Sequence, residues 1–320
     1  MTRRYFNTAF KSFGALTICL VMISAALSAK SINKNAGTSS FSFLKINIGA
    51  RAVAMGGAFT GLADDESALY YNPAGITRFE DKRFILGYHN YFFDMQTGVV
   101  GYIRPMNEKS HMAVHLTYLN FGDFIETDRF GVRQGEFSGG DLMLAASYAY
   151  RHSYSLSFGG TAKFLYEKVQ DFSATGLAVD LGGLYTYDRE RYRLGLTIQN
   201  LGLQLSALGD EKEKLPLAVR AGGSARLRGL PMTLAADLIL PVDNDPVIAF
   251  GAEYYNFRPF YARLGWNSFG SNFRTGVSDD SWAGMSVGAG FDLKRMHLSY
   301  AFSPGADLGE IHRITLTGGL

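Results

Sequence analysis

Four short stretches of this 320-residue chain carry residue types from which chemistry is commonly built. Gly284-Met285-Ser286-Val287-Gly288 matches G-x-S-x-G, the elbow that presents a nucleophilic serine in esterases. That elbow needs a strand-to-helix turn. Here Met285, Val287, Ala289 and Phe291 continue the apolar face of a strand and leave Ser286 on the opposite face, with no His and Asp assignable to it. His111 and His115, four apart in a strand, share one face with their rings too distant to bind one metal ion unaided. Asp64-Asp65-Glu66 offers paired acids or cation ligands, but serves more simply as helix caps and as hydrogen-bond partners between a plug and its wall. Gly56-Gly57-Ala58-Phe59-Thr60-Gly61 lacks the Lys-Ser/Thr of a phosphate loop and reads as close packing. The chain is read as a non-enzyme, with no catalytic residue, metal ligand or cofactor.

The elements that must position these residues are strands. Aromatic residues at 14%, 37 glycines and only 19% charged residues suit many strands with tight turns and one apolar face. A net charge of +2, with acids and bases interspersed, excludes a nucleic-acid footprint. Residues 1–29 read as a cleaved secretory signal: Arg3, Arg4 and Lys11, then the apolar run Phe13 to Leu27, then Ser28 and Ala29. Cys19 is the single cysteine and lies within it, so the exported chain has neither disulfide nor thiol site.

From about Phe84 onward, apolar and polar-or-small residues alternate with period two. Leu156, Phe158, Ala162 and Phe164 share one face while Ser157, Thr161 and Lys163 share the other; Tyr192, Leu194, Leu196 and Ile198 likewise oppose Arg193, Thr197 and Gln199. Fourteen strands are expected, near 84–92, 95–104, 111–120, 140–151, 154–166, 175–187, 191–200, 216–227, 231–240, 246–256, 259–267, 282–293, 295–303 and 311–320. Most approach the ~9–11 residues of a tilted bilayer-crossing strand, and short turns alternate with longer stretches around 121–139, 201–215, 268–281 and 304–310. The face opposite the apolar one carries Lys163, Asp180, Arg193, Arg220, Asp237, Glu253, Arg263 and Asp292, more charge than a soluble sandwich core can bury but acceptable in a polar lumen. The expectation is a fourteen-stranded antiparallel transmembrane β-barrel in a bacterial outer membrane, surrounded by its lipid, with both chain ends in the periplasm.

Residues 41–80 break the pattern. They are rich in small residues and turn formers, and Asp64 or Asp65 is expected to cap a short helix running through Leu69 that Pro73 ends. The chain divides into a signal over 1–29, an N-terminal segment with a hatch or plug over 30–80, and a barrel over 81–320. The hatch motif is Gly49, Arg51, Met55, Gly56, Gly57, Asp64, Asp65, Asn72 and Pro73. Gly49-Ala50-Arg51 through Met55-Gly56-Gly57-Ala58-Phe59, with Ala63-Asp64-Asp65 and Tyr71-Asn72-Pro73-Ala74-Gly75, resembles the opening of the PorV/PorQ family; Ala63-Asp64-Asp65 with Asn72-Pro73-Ala74 is also similar to the FadL fatty-acid transporters. The resemblance implies a fourteen-stranded barrel with an N-terminal hatch. For PorV/PorQ proteins it further implies partnership with type IX secretion components or exported cargo proteins; for FadL relatives, passage of a hydrophobic solute. An aromatic extracellular loop over Phe121 to Gly139 would serve the first role, whereas inward charges such as Lys163, Arg220 and Arg263 interrupt a greasy path for the second.

Overall fold

A computed structural model describes residues 34–273, 282–305 and 309–320; the signal expected over 1–29 and Cys19 lie outside the described residues. Fourteen antiparallel strands close into a barrel: β1 (Arg83–Asn90), β2 (Gln96–Pro105), β3 (Ser110–Thr127), β4 (Arg133–Arg151), β5 (Leu156–Val169), β6 (Phe172–Tyr187), β7 (Tyr192–Ser206), β8 (Ala218–Arg226), β9 (Met232–Pro241), β10 (Val247–Tyr254), β11 (Phe260–Asn267), β12 (Met285–Leu293), β13 (Met296–Pro304) and β14 (Glu310–Gly319). Each strand pairs with its sequence neighbours, and β1 closes on β14 from Arg83↔Gly319 to Asn90↔His312. Closure gives every strand two neighbours, as a spanning sheet requires in hydrocarbon, where no water is present to satisfy the backbone.

Burial is inside out. Along β7, Leu194 and Leu196 are 62% and 58% exposed while the adjacent Arg193 and Thr197 are 2% and 1% exposed. Large apolar residues outside and polar ones within suit a lipid exterior and a filled polar lumen. Among the described residues no helix is long and apolar enough to cross a membrane, so strands form the wall.

The strand limits fall within three residues of those expected, except at the end of β3, the start of β4 and the end of β7. The expected loop over Phe121 to Gly139 is a continuation of the β3–β4 hairpin, which turns only over 128–132. Its register resumes after an irregularity between Asn120 and Asp123, and Phe124 stacks on Phe137 at 5.3 Å, an aromatic cross-strand pair that holds the extension. β3 and β4 have 18 and 19 residues, at least seven beyond what a bilayer crossing takes. With β5, β6 and β7 at 14, 16 and 15 residues, the wall is tall on one side and low on the other, where β8 to β14 have 8 to 10.

Inside the lumen runs the N-terminal segment. A 3-10 turn (Ser42–Lys45) precedes helix α1 (Ala50–Ala54); helix α2 (Ala68–Tyr71) is followed by a second 3-10 stretch (Pro73–Arg78) leading to β1. Its apolar side chains meet the wall in several directions: Met55, Phe59 and Leu62 pack with Ala235 and Ala249, Leu69 and Ile76 with Ile85, Ile103 and Ala149, and Phe41 and Phe43 with Leu119, Met143 and Leu165. Wall glycines allow its backbone to approach. A Cβ at Gly265 would stand 2.0 Å from the Gly56 nitrogen, and one at Gly195 would stand 2.1 Å from the Thr60 carbonyl oxygen.

The even strand count brings both ends of the wall to the rim of short turns, where Arg83 pairs with Gly319. Residues 35–43 lie at the opposite rim: Ser39 bridges Lys214 in the β7–β8 loop, and Asn35 donates to the Val242 carbonyl beyond β9. The segment therefore runs from that rim through the lumen to the rim where β1 begins.

Gly265→Val places a branched side chain against the Gly56 backbone. The expected effect is a displaced hatch at a cost of about 1–3 kcal/mol, read as a lower unfolding temperature in detergent and faster protease cleavage within residues 41–80, with the strand spectrum unchanged.

Candidate functional site

The hatch motif forms a joint between plug and wall. Gly49, Gly56 and Gly57 all have positive φ, at 83°, 70° and 80°, and bracket α1 with turns that side-chain-bearing residues adopt only at a cost. Asn72 is extended (φ −154°, ψ 102°) and works in three directions: its Oδ1 accepts from the Ala74 N–H at 3.1 Å, and its Nδ2 donates to the carbonyls of Thr60 and Gly183 at 2.9 and 3.0 Å. Pro73, at the first position of the 3-10 stretch, lacks the N–H that would need a partner there. The helix cap differs from expectation. Ser67 occupies the N-cap of α2 and Asp65 accepts from the Ser67 N–H at 2.8 Å, while Asp64 is drawn away into ion pairs.

Arg51 is the hub. Its Nη1 donates to Asp64 at 2.6 Å and to Asp65 at 3.2 Å, and its Nε and Nη2 form a fork on Glu253 of β10 at 2.7 and 2.8 Å. Arg193 of β7 donates to Asp64 at 2.9 Å and to the Leu62 carbonyl at 2.9 Å; Arg263 of β11 donates to Glu253 at 2.7 Å from behind. Burial alone would raise the Asp64 carboxyl, but the Arg51 and Arg193 guanidiniums outweigh it and hold the group far below the usual carboxylate range. Met55, fully buried, abuts Gly251 of β10.

A second joint lies at Asp237 of β9, whose Oδ2 accepts from the Phe59 and Thr60 N–H groups at 3.1 and 2.9 Å and from Arg220 at 3.3 Å; Arg220 also donates to the Gly57 carbonyl at 2.7 Å. Lys163 and Asp180 form a pair within the wall at 2.6 Å. There Asn200, at φ 60°, completes a bulge in β7 by accepting from Lys163 and donating its N–H to Asp180. Asp292 sits apart near the rim of short turns with His297 and Tyr261, each at 2.5 Å. Of the eight inward charges named from sequence, four contact the hatch directly.

Several contacts were not anticipated. Thr315 accepts from the Ala50 N–H at 2.9 Å, Ser286 donates to the Val53 carbonyl at 2.7 Å, and Gln199 donates to the Tyr70 and Tyr71 carbonyls at 3.0 and 3.1 Å. Ser286 thereby works as a hydrogen-bond donor to the plug. His111 meets the Phe79 carbonyl at 2.7 Å and His115 sits edge-on to Tyr70 at 4.8 Å. Inward alternation was the available signal for all of these; which plug atom each would meet was not encoded locally.

Above the hatch, at the rim of long strands, a cavity of about 550 Å³ opens between residues 39–46 and the inner wall, lined by Phe41, Tyr91, Phe92, Leu119, Asp141 and Glu167 among others.

A closed, inside-out barrel filled by its own N-terminal segment defines the class: a plugged β-barrel of the outer-membrane type. Solved structures share the barrel fold. The chain is similar to the CymD monoaromatic hydrocarbon channel (TM-score 0.59, 13% identity, 86% of this chain and 98% of that one) and to the toluene transporter TodX of Pseudomonas putida (TM-score 0.58, 13% identity, 85% and 96%); at such identity the likeness is one of fold alone. The model of the family "Type IX secretion system protein PorV" matches residues 29–227, which take in the hatch and β1 to β8, and the chain belongs to that family. It is also 24% identical over 242 residues to a UPF0164 protein of Treponema pallidum (strain Nichols), covering 69% of this chain and 57% of that protein's length.

Arg51→Ala leaves Asp64 and Glu253 buried with fewer partners and should cost roughly 3–5 kcal/mol, read as early protease cleavage within residues 41–80. The pH response is set by Glu66, which accepts from Arg83 at 2.6 Å with one oxygen while the other has no partner. Burial and the neighbouring Asp65 outweigh Arg83 and push its carboxyl up to about 7. A raised acid favours the folded state in its protonated form, so its contribution is present below the unfolded value near 4.5 and is lost as pH rises through 7. Asp64 contributes in the opposite sense, above its unfolded value of 3.8. Protease resistance of the hatch should therefore peak near pH 5 and fall towards pH 8, and Glu66→Gln should flatten that fall.

Proposed function

We propose that this protein serves type IX secretion as a plugged docking barrel, presenting the tall side of its wall to secretion components or exported proteins outside the cell. The observation that carries this reading is the pairing of a bolted hatch with a one-sided wall whose β3–β4 hairpin exposes Phe124, Ile125, Phe130 and Val132 above bilayer height. Exposed apolar residues at a hairpin tip, beyond the lipid, are suited to a protein partner. The family match supports the reading, since it spans both the hatch and the tall strands. In this arrangement the rim of long strands faces outward, the short turns face the periplasm, and residues 35–43 stand near the outer surface.

The second reading, a channel for a hydrophobic solute, is favoured by the cavity above the hatch and by the barrels of similar fold described as hydrocarbon channels. It requires the Arg51 joint to part for each passage.

A mild-detergent pull-down of the tagged protein from its own outer membranes, with mass spectrometry of what co-purifies, separates the two. Secretion components or exported surface proteins should be recovered with the wild type, and their yield should fall several-fold with Phe124→Ser/Phe130→Ser. An isolated barrel carrying an apolar solute would overturn the docking reading in favour of the channel.

A further inference from the structure

The cavity above the hatch has an acidic wall, which is an unusual lining for a site that would take a fatty acid. Asp141 of β4 and Glu167 of β5 stand directly opposite each other in register, both on the inner face. Asp141 is 3% exposed, and its Oδ1 has no hydrogen-bond partner. Among the described residues no cation lies within ion-pair distance of either carboxylate. Like charges facing each other across a strand pair destabilise the sheet, and a buried unpaired carboxylate costs more still. Lys45, the one basic side chain lining the cavity, is engaged by Asp243 elsewhere. Glu211 and Glu213 of the β7–β8 loop add negative charge at the mouth.

The remainder of the lining is aromatic and aliphatic. Phe41 and Phe92 are buried beside the acids, with Tyr91 and Phe121 completing the apolar surround. Aromatic faces carry negative potential and attract ammonium groups, most strongly where water is excluded. A buried pair of facing acids, one with an unpartnered oxygen, with aromatic walls and an apolar surround is complementary to one chemical class.

We infer that the cavity formed by residues 39–46 and the inner wall at Asp141 and Glu167 binds an organic cation: an apolar, aromatic or aliphatic body bearing an ammonium group. The ammonium sits between the two carboxylates and replaces the missing partner of Asp141; the body lies along Phe41, Phe92 and Leu119. The cavity lies beside the β7–β8 loop at the rim of long strands, so occupancy needs no passage through the lumen. The inference goes beyond the docking reading and does not depend on it, since such a ligand binds equally in a barrel that docks proteins or one that admits solutes.

The test uses the full-length mature barrel in a non-ionic detergent and three probes of one shape, 4-phenylbutylamine, 4-phenylbutanol and 4-phenylbutanoate, with binding read by calorimetry and by saturation-transfer NMR. The amine should bind at least tenfold more tightly than the carboxylate, with the alcohol between them. Asp141→Asn and Glu167→Gln should each weaken the amine about tenfold and leave the alcohol within twofold. Asp141→Asn removes a buried acid that lacks a partner and faces Glu167, so its unfolding temperature should equal or exceed that of the wild type, which separates loss of the site from loss of the fold. Carboxylate binding as tight as the amine, no amine binding to the wild type, or amine affinity unchanged in both variants would overturn the inference.

Discussion

The structure depends on the pairing of charge inside a closed wall. A fourteen-stranded barrel is too wide for its own side chains to fill, and the inner faces of β7 to β11 point Arg193, Arg220, Asp237, Glu253 and Arg263 into that space. Left alone, these groups would need water. Filled by an irregular segment, they need partners, and so do the segment's backbone N–H and C=O groups. Both demands are met by the same contacts. Arg51 bridges the hatch acids to Glu253, Asp237 accepts from two hatch N–H groups, and Arg193 and Arg220 donate to hatch carbonyls. Small residues and glycines along the plug and wall follow from that arrangement, because the close approach of the two backbones at Gly195 and Gly265 leaves no room for a side chain.

Much of this was legible in the sequence. Period-two alternation gave the strand number, and the inner face could be named residue by residue, because Arg193 between Tyr192 and Leu194 has only one compatible orientation in lipid. The glycines and Asn72-Pro73 marked the hatch as irregular. The sequence did not reveal the pairing of Arg51 with Glu253, 202 residues away, since ion-pair partners across a lumen leave no local trace. Nor did it reveal how far β3 and β4 run: Gly135, Gly139 and Gly140 look like loop formers, yet they sit in strands stapled by Phe124 on Phe137. Of the two expected capping acids, Asp65 accepts from the Ser67 N–H at the start of α2, while Asp64 is taken by the Arg51 and Arg193 guanidiniums.

Three levels follow along the lumen axis. An ion-paired joint ties the hatch to the wall, an acidic and aromatic cavity lies at the rim of long strands, and a one-sided wall of long strands rises past both. Residues 35–43 link the levels, since the chain that forms the cavity's inner lining leads directly into the bolted hatch. An occupant of the cavity is therefore in contact with the segment whose far end holds Arg51.

The central claim is that ion pairs and hydrogen bonds between the hatch and β7 to β10 keep the lumen shut. Its most direct test is electrical. The purified mature protein, reconstituted in a planar bilayer in moderate salt, should insert without producing conductance steps, whereas sustained ohmic steps of porin-like size from the wild type would contradict the account.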